Sequence, residues 1–188
     1  MLPPAAHYRP NYIGETDEAG LLGYIDRAGW IDDLKRRVQH YGYRYDYRER
    51  RVTEGSHLGA LPDWLLPIAR RLVADGSFSV MPDQVIVNEY LPGQGIAPHV
   101  DCEPCFGDTI ASVSLGSACL MEFRKVGQDE RLEHMLDPRS LLIFSGEARY
   151  AWKHGIAARK TDVVDGAKRP RARRISLTFR SVVIQGGR

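Results

Sequence analysis

Residues 173–184 read RRISLTFRSVVI, and the order of side chains in this stretch sets the fold. Arg174, Ser176, Thr178 and Arg180 alternate with Ile175, Leu177 and Phe179, a period of two that gives a strand one polar and one apolar face. Upstream, 84–91, 109–115, 119–125, 131–136 and 140–144 are short runs rich in Val, Ile, Leu, Phe and Tyr, punctuated by Gly, Pro and Asp. Before residue 78 the pattern is different. Leu21, Leu22 and Ile25 recur at helical spacing in 16–27 behind an acidic first turn, and Leu65, Ile68 and Leu72 share one face of a second helix over 62–74. Residues 34–47 read as a strand or ordered loop. Helices followed by a series of strands predict an α+β chain with a β-sandwich or jelly-roll core. Segments 2–8 and 163–170 are expected to be loosely held.

The 188 residues suit one domain, 1–188, and 43% hydrophobic with 27% charged residues excludes a disordered or fibrous class. A net charge of +2 is too small to demand a polyanionic partner. No apolar run approaches the roughly 20 residues that span a bilayer, so no membrane partner is expected. The first ten residues lack the basic-then-apolar order of a signal peptide. Cys102, Cys105 and Cys119 are an odd count without disulfide-scaffold density, which predicts a reducing, cytoplasmic setting. A monomer is the default expectation.

Residues 92–105, PGQGIAPHVDCEPC, place His99 and Asp101 two apart. On an extended strand such residues project from the same face and can meet one ion. His154 in YAWKHGI, residues 150–156, offers a third ligand. Two His and one carboxylate leave coordination positions open, as non-haem Fe(II) oxygenases require, whereas structural zinc closes all four. Alone, His-x-Asp is a weak signal, and a turn with two solvated polar residues after Pro98 would show it too. Cys102 and Cys105 form a C-x-x-C with no second pair to complete a zinc site and no helix to support redox chemistry, so neither role is expected of them.

On the polar face of 174–180, Arg174 and Arg180 have Cα atoms roughly 20 Å apart at about 3.3 Å per residue. Their side chains reach inward and can converge on a short dicarboxylate, which Arg binds in bidentate fashion. 2-Oxoglutarate is such a ligand. A half-exposed edge strand would show the same pattern. Asn88 and Tyr90 share a strand face with Ile86 and supply an amide and a phenol to the same wall. Residues 34–51, LKRRVQHYGYRYDYRERR, interleave Arg36, Arg37 and five further cations with Tyr41, Tyr43, Tyr45 and Tyr47. Such a mixture can stack a base and hold phosphates, or be a solvated strand with Tyr packed on the core. KRPRARR, 168–174, offers another basic loop.

Residues 88–101 (NEYLPGQGIAPHVD), 112–117 (SVSLGS), 138–156 (PRSLLIFSGEARYAWKHGI) and 173–180 (RRISLTFR) resemble the AlkB family of Fe(II)/2-oxoglutarate dioxygenases. The similarity extends upstream through RRVQHYGYRYDY, 36–47, and is nearest in wording to the AlkB domain of the eukaryotic tRNA wobble-uridine hydroxylases. The resemblance implies a double-stranded β-helix (jelly-roll) core at about 78–185, N-terminal helices and a nucleotide-recognition lid at about 30–55. It implies iron on His99, Asp101 and His154. Arg174 would pair with the distal carboxylate of 2-oxoglutarate, assisted by Tyr90, with Arg180 and Asn88 near the chelating end. It implies Fe(II), 2-oxoglutarate and O2 as cofactors and oxidation of an alkylated base in DNA or RNA. Tyr43 would stack on that base, and Glu103 would read its edge or a cationic methylated form. Ser176 departs from the repair enzymes, which often carry asparagine there. The chain holds no counterpart of the RNA-recognition and methyltransferase domains that accompany the tRNA hydroxylases. The same chemistry on a protein side chain or small molecule, and a non-catalytic β-sandwich binding module, are the other readings.

Overall fold

In a computed structural model, the alternating segments build two antiparallel sheets, described over residues 1–32 and 34–184. Position 33, inside the expected lid, and residue 185, the expected end of the jelly roll, lie outside the described residues. The first elements are β1 (Ala6–Arg9), α1 (Glu15–Arg27), β2 (Val38–Tyr41) and α2 (Leu66–Ala74). Then come β3 (Gln84–Tyr90), β4 (Ile96–His99), β5 (Phe106–Gly116), β6 (Cys119–Lys125), β7 (Arg131–Leu136) and β8 (Leu141–Phe144). The chain continues through α3 (Gly146–Tyr150), β9 (Trp152–Ile156), β10 (Thr161–Val164), β11 (Ala167–Pro170) and β12 (Arg174–Val182). The larger sheet runs β1-β8-β5-β12-β3-β2 and the smaller β4-β9-β6-β7, with β10 and β11 forming a separate hairpin.

β12 sits at the centre of the larger sheet, with Arg174 opposite both Tyr90 and Gly116 and Arg180 opposite Gln84 and Ile110. Its residues 174–180 are all buried, so the edge-strand reading fails and the polar face looks into the protein. The apolar face, with Leu177 beside Val87 and Val113, packs under Leu21 and Ile25 of α1 and Ile68 and Leu72 of α2. Fully burying each such side chain contributes about 1.5–3 kcal/mol. The smaller sheet adds Met121, Phe123, Trp152 and Ile156 to a second cluster between the sheets.

The chain is mostly β with few helices, as a jelly-roll core preceded by helices predicts: α1 and α2 line one sheet face and α3 is a five-residue helix. Two expectations are corrected. α2 begins at Leu66, because Pro67 takes its first turn and 62–65 close a tight turn in which the Leu65 N–H donates to the Pro62 carbonyl. Segments 2–8 and 163–170 are paired: β1 extends the sheet beside β8, and β10 with β11 is tied down by the buried Asp162 carboxylate, which accepts from Arg159 and Arg171 at 2.7 Å. No helix among the described residues is long and apolar enough to cross a membrane.

Candidate active site

The polar face of β12 and the facing strands enclose a cavity of about 510 Å³ between the two sheets. β4 pairs with β9 so that His99 stands directly opposite His154. Their rings lie 4.5 Å apart, and Phe144 stacks on His154 at 4.6 Å. Asp101 Oδ1 is 3.3 Å from His99 Nε2 and 3.8 Å from His154 Nε2. One ligand atom from each residue lies within 4.8 Å of the others, the spacing of a single-ion site. The His99 Nδ1–H donates to the Ala97 carbonyl at 2.9 Å, which fixes the tautomer and leaves the Nε2 lone pair for a metal.

Asp101 divides its two oxygens. Oδ1 faces the histidines, and Oδ2 accepts from Arg180 Nε at 2.9 Å. Burial alone would raise the Asp101 pKa, but the Arg180 guanidinium beside it holds it well below the usual carboxylate range. Burial pushes His154 down to about 3, so its imidazole is neutral and available as a ligand. Nitrogen and carboxylate donors with open positions suit ferrous iron.

Arg174 is 2% exposed. Its Nη2 donates to Ser114 Oγ at 2.9 Å, its guanidinium lies 5.5 Å from the Tyr90 ring centre, and Nε and Nη1 have no partner among the described residues. Two buried nitrogens, with three N–H groups between them and no acceptor among the described residues, mark a slot for an anion. A carboxylate of 2-oxoglutarate fits that donor set. Arg180 lines the same cavity, where its Nε donates to Asp101 Oδ2 and its Nη1 to Gln84 Oε1 at 3.3 Å. Asn88 lines the cavity but its Oδ1 accepts from Arg36 Nε at 2.9 Å. Ser176 Oγ pairs with Ser112 Oγ at 2.8 Å, filling the asparagine position with a hydroxyl network.

Arg36 lines the cavity, with its guanidinium carbon 5.9 Å from the Tyr47 ring centre and 6.0 Å from that of Tyr90. The structure does not bring Arg37, Tyr43 or Glu103 to the cavity wall. Arg37 pairs with Glu89 and covers Trp30 at 4.4 Å. Tyr43 packs on His57 at 4.9 Å, and Glu103 is exposed on the turn after Cys102. Tyr45, Tyr47 and Arg50 line the cavity in their stead, joined by Lys153. In 168–174, Arg171 holds Asp162 and Arg173 holds Asp26 and Glu89, so both tie the fold together.

Two features of the 101–107 loop were not expected. Cys102 and Cys105 are joined as a disulfide, with Cα atoms 5.3 Å apart. Arg149, 2% exposed, meets no carboxylate among the described residues. It donates to the carbonyls of Asp101 at 3.0 Å, Cys102 at 3.2 Å and Gly107 at 3.4 Å, clamping the segment that carries the Asp ligand. The A-R-Y of 148–150 on a short helix gives no local sign of this, since the acceptors are backbone oxygens more than 40 residues away.

A family model described as the 2OG-Fe(II) oxygenase superfamily matches residues 28–180. An Arabidopsis thaliana protein named "Alkylated DNA repair protein ALKBH8 homolog" is 40% identical over 95% of this chain, which spans 58% of that protein's length. The Xenopus tropicalis "tRNA (carboxymethyluridine(34)-5-O)-methyltransferase alkbh8" is 40% identical over 87% of the chain, which spans 27% of it. A Danio rerio protein named "Probable RNA/DNA demethylase ALKBH6" is 32% identical, with 96% of this chain and 86% of that protein covered. The solved structure of OsALKBH1 superposes with a TM-score of 0.72 at 19% identity, over 96% of this chain and all of that one, and has the same fold. The chain therefore belongs to the 2OG-Fe(II) oxygenase superfamily and, within it, to the AlkB family.

Proposed function

We propose that this dioxygenase oxidises an alkyl group on a nucleic-acid base, with a modified tRNA uridine as the first substrate to try. The carrying observation is the cavity itself: it is lined by the metal triad, by Arg174 with two unpartnered nitrogens, by Tyr45 and Tyr47, and by three further cations, Arg36, Arg50 and Lys153. Bound iron, 2-oxoglutarate and O2 would supply the oxidising power that inserts oxygen into a C–H bond. The chain's own residues supply position. Arg174, backed by Tyr90, holds the distal carboxylate of 2-oxoglutarate. Arg180 fixes Asp101 so that only Oδ1 is offered to the metal, and Asn88 aligns Arg36. A base leaving its stack finds an aromatic wall in Tyr45 and Tyr47, while Arg50 and Lys153 meet backbone phosphates. Tyr43 and the exposed Glu103 would then meet nucleotides flanking the target base rather than the base itself.

The test is mass spectrometry on modified tRNA and on methylated RNA and DNA oligonucleotides, incubated with iron, 2-oxoglutarate and O2. A mass change on one of these nucleic acids, matched by succinate formation, is expected. Turnover of a protein or small molecule with every nucleic acid left unchanged would replace this reading with the same chemistry on another target.

A further inference from the structure

We propose that Cys102 and Cys105 are an oxidative modification site, a reversible dithiol–disulfide pair that sets how the iron-ligand loop seats against the lid segment at Arg50. The two cysteines follow Asp101 directly, and both are buried, at 5% and 3% exposure. Their Cα separation of 5.3 Å falls within the range a disulfide accepts. Cys102 lines the cavity and Cys105 does not, so a small oxidant entering the cavity meets Cys102 first. Both sulfurs lie against a single backbone oxygen, the Arg50 carbonyl, at 3.2 and 3.3 Å. A disulfide has no hydrogen for that oxygen, and two thiols have one each.

The step balances with a peroxide as oxidant. The Cys102 sulfur attacks one peroxide oxygen, the O–O bond breaks, and water leaves with a sulfenic acid formed. The Cys105 sulfur then attacks the Cys102 sulfur, the S–O bond breaks, and a second water leaves. Two thiols lose two electrons and two protons, and the peroxide is reduced to two waters. A dithiol reductant reverses the reaction by thiol–disulfide exchange.

The structural consequence follows from packing. Bonded sulfurs stand about 2.05 Å apart, and non-bonded ones need roughly 3.5 Å or more. Val52 and Phe106 share a close-packed cluster with the pair, so the extra separation must be taken up by moving backbone. Arg149 clamps the carbonyls of Asp101, Cys102 and Gly107, which pins both ends of the loop. Movement is therefore directed to the turn 102–105 and to the lid at 50–52.

Hydrogen exchange with peptide-mapping mass spectrometry on the full chain, without iron or substrate, tests this independently of the proposed substrate. Peroxide should produce a 102–105 disulfide, lighter by two hydrogens and reversed by a dithiol reductant. Buried Cys119, the free cysteine, serves as the internal control. The dithiol form should exchange several-fold faster at 50–52 and 102–105, with β12 unchanged, and Cys105→Ser should lose this redox response. Persistence of both thiols under peroxide, or a disulfide whose formation leaves exchange at 50–52 unaltered, would overturn the proposal. If Cys105→Ser does not fold, the two states of the natural chain decide alone.

Discussion

A guanidinium at 2% exposure with two unpartnered nitrogens costs the empty fold the desolvation of those groups, about 1–3 kcal/mol each by the usual penalty. Arg174 tolerates this because Ser114 and the Tyr90 ring hold it in place for an incoming carboxylate. Arg174→Ala should weaken 2-oxoglutarate binding by about 1.5–3 kcal/mol, the worth of a charge-assisted hydrogen bond, as read by isothermal titration. Unchanged affinity would remove it from the site. Arg180 acts differently, on the metal ligand. Asp101 is held below its ordinary pKa, so its carboxylate is ionised well into acid and metal binding persists there. Arg180→Gln removes the main opposing charge, the folded-state pKa rises, and the acid limit of iron binding should move to higher pH in titrations followed by tryptophan quenching. An unmoved limit would leave Arg180 a structural residue. The sequence shows both arginines on one face, but not that one would be neutralised by Asp101, because that pairing spans 79 residues. Tyr43 is what the family resemblance implies for the base platform, whereas the cavity wall carries Tyr45 and Tyr47, a choice that local sequence cannot make.

At the level of elements, the site depends on how closely β4 approaches β9. A Cβ on Gly155 would stand 2.8 Å from Pro98 N, 2.9 Å from Pro98 Cα and 3.0 Å from Ile96 O, all backbone. Gly155→Ala must therefore push the two strands apart where His99 faces His154. A stability loss of about 1–3 kcal/mol, the usual cost of overpacking, should accompany a clear loss of iron affinity, measured by thermal unfolding with and without metal. Full iron affinity in that variant would show that the strand spacing is not what sets the triad. The runs of β3 and β8 are legible because they are buried on both faces, and β12 because its polar and apolar residues alternate. β4 is not, since Pro98 and Gly95 break any strand pattern. The β10–β11 hairpin did carry a signal: Asp165-Gly166, both at positive φ, form the two-residue turn favoured between strands.

Over the whole molecule, pH acts through buried imidazoles. Burial, with Arg180, Arg44 and Arg36 nearby, lowers His40 to about 4, and its Nδ1 accepts the Tyr45 N–H at 3.2 Å. The unfolded chain takes up a proton near 6.5 and the folded one does not, so this contribution is complete above about 6.5 and is lost as pH falls toward 4. Its size is at most about 3 kcal/mol, from 1.36 kcal/mol per pH unit. Metal-free protein should lose melting temperature across that window, and His40→Gln should lessen the loss, with buried His154 supplying the remainder; a flat profile in the natural chain would count against buried neutral imidazoles. Nucleic-acid affinity, if Arg36, Arg50 and Lys153 meet phosphates, should fall with a log–log salt slope of about −0.7 to −0.9 per contact. The most direct test of the site is visible absorption after anaerobic addition of Fe(II) and 2-oxoglutarate. The natural chain should develop a metal-to-ligand charge-transfer band, Arg174→Ala should need more 2-oxoglutarate to reach it, and His154→Ala should show none. A folded natural chain with no band, or an equal band in His154→Ala, would contradict the assignment of this cavity as the iron and 2-oxoglutarate site.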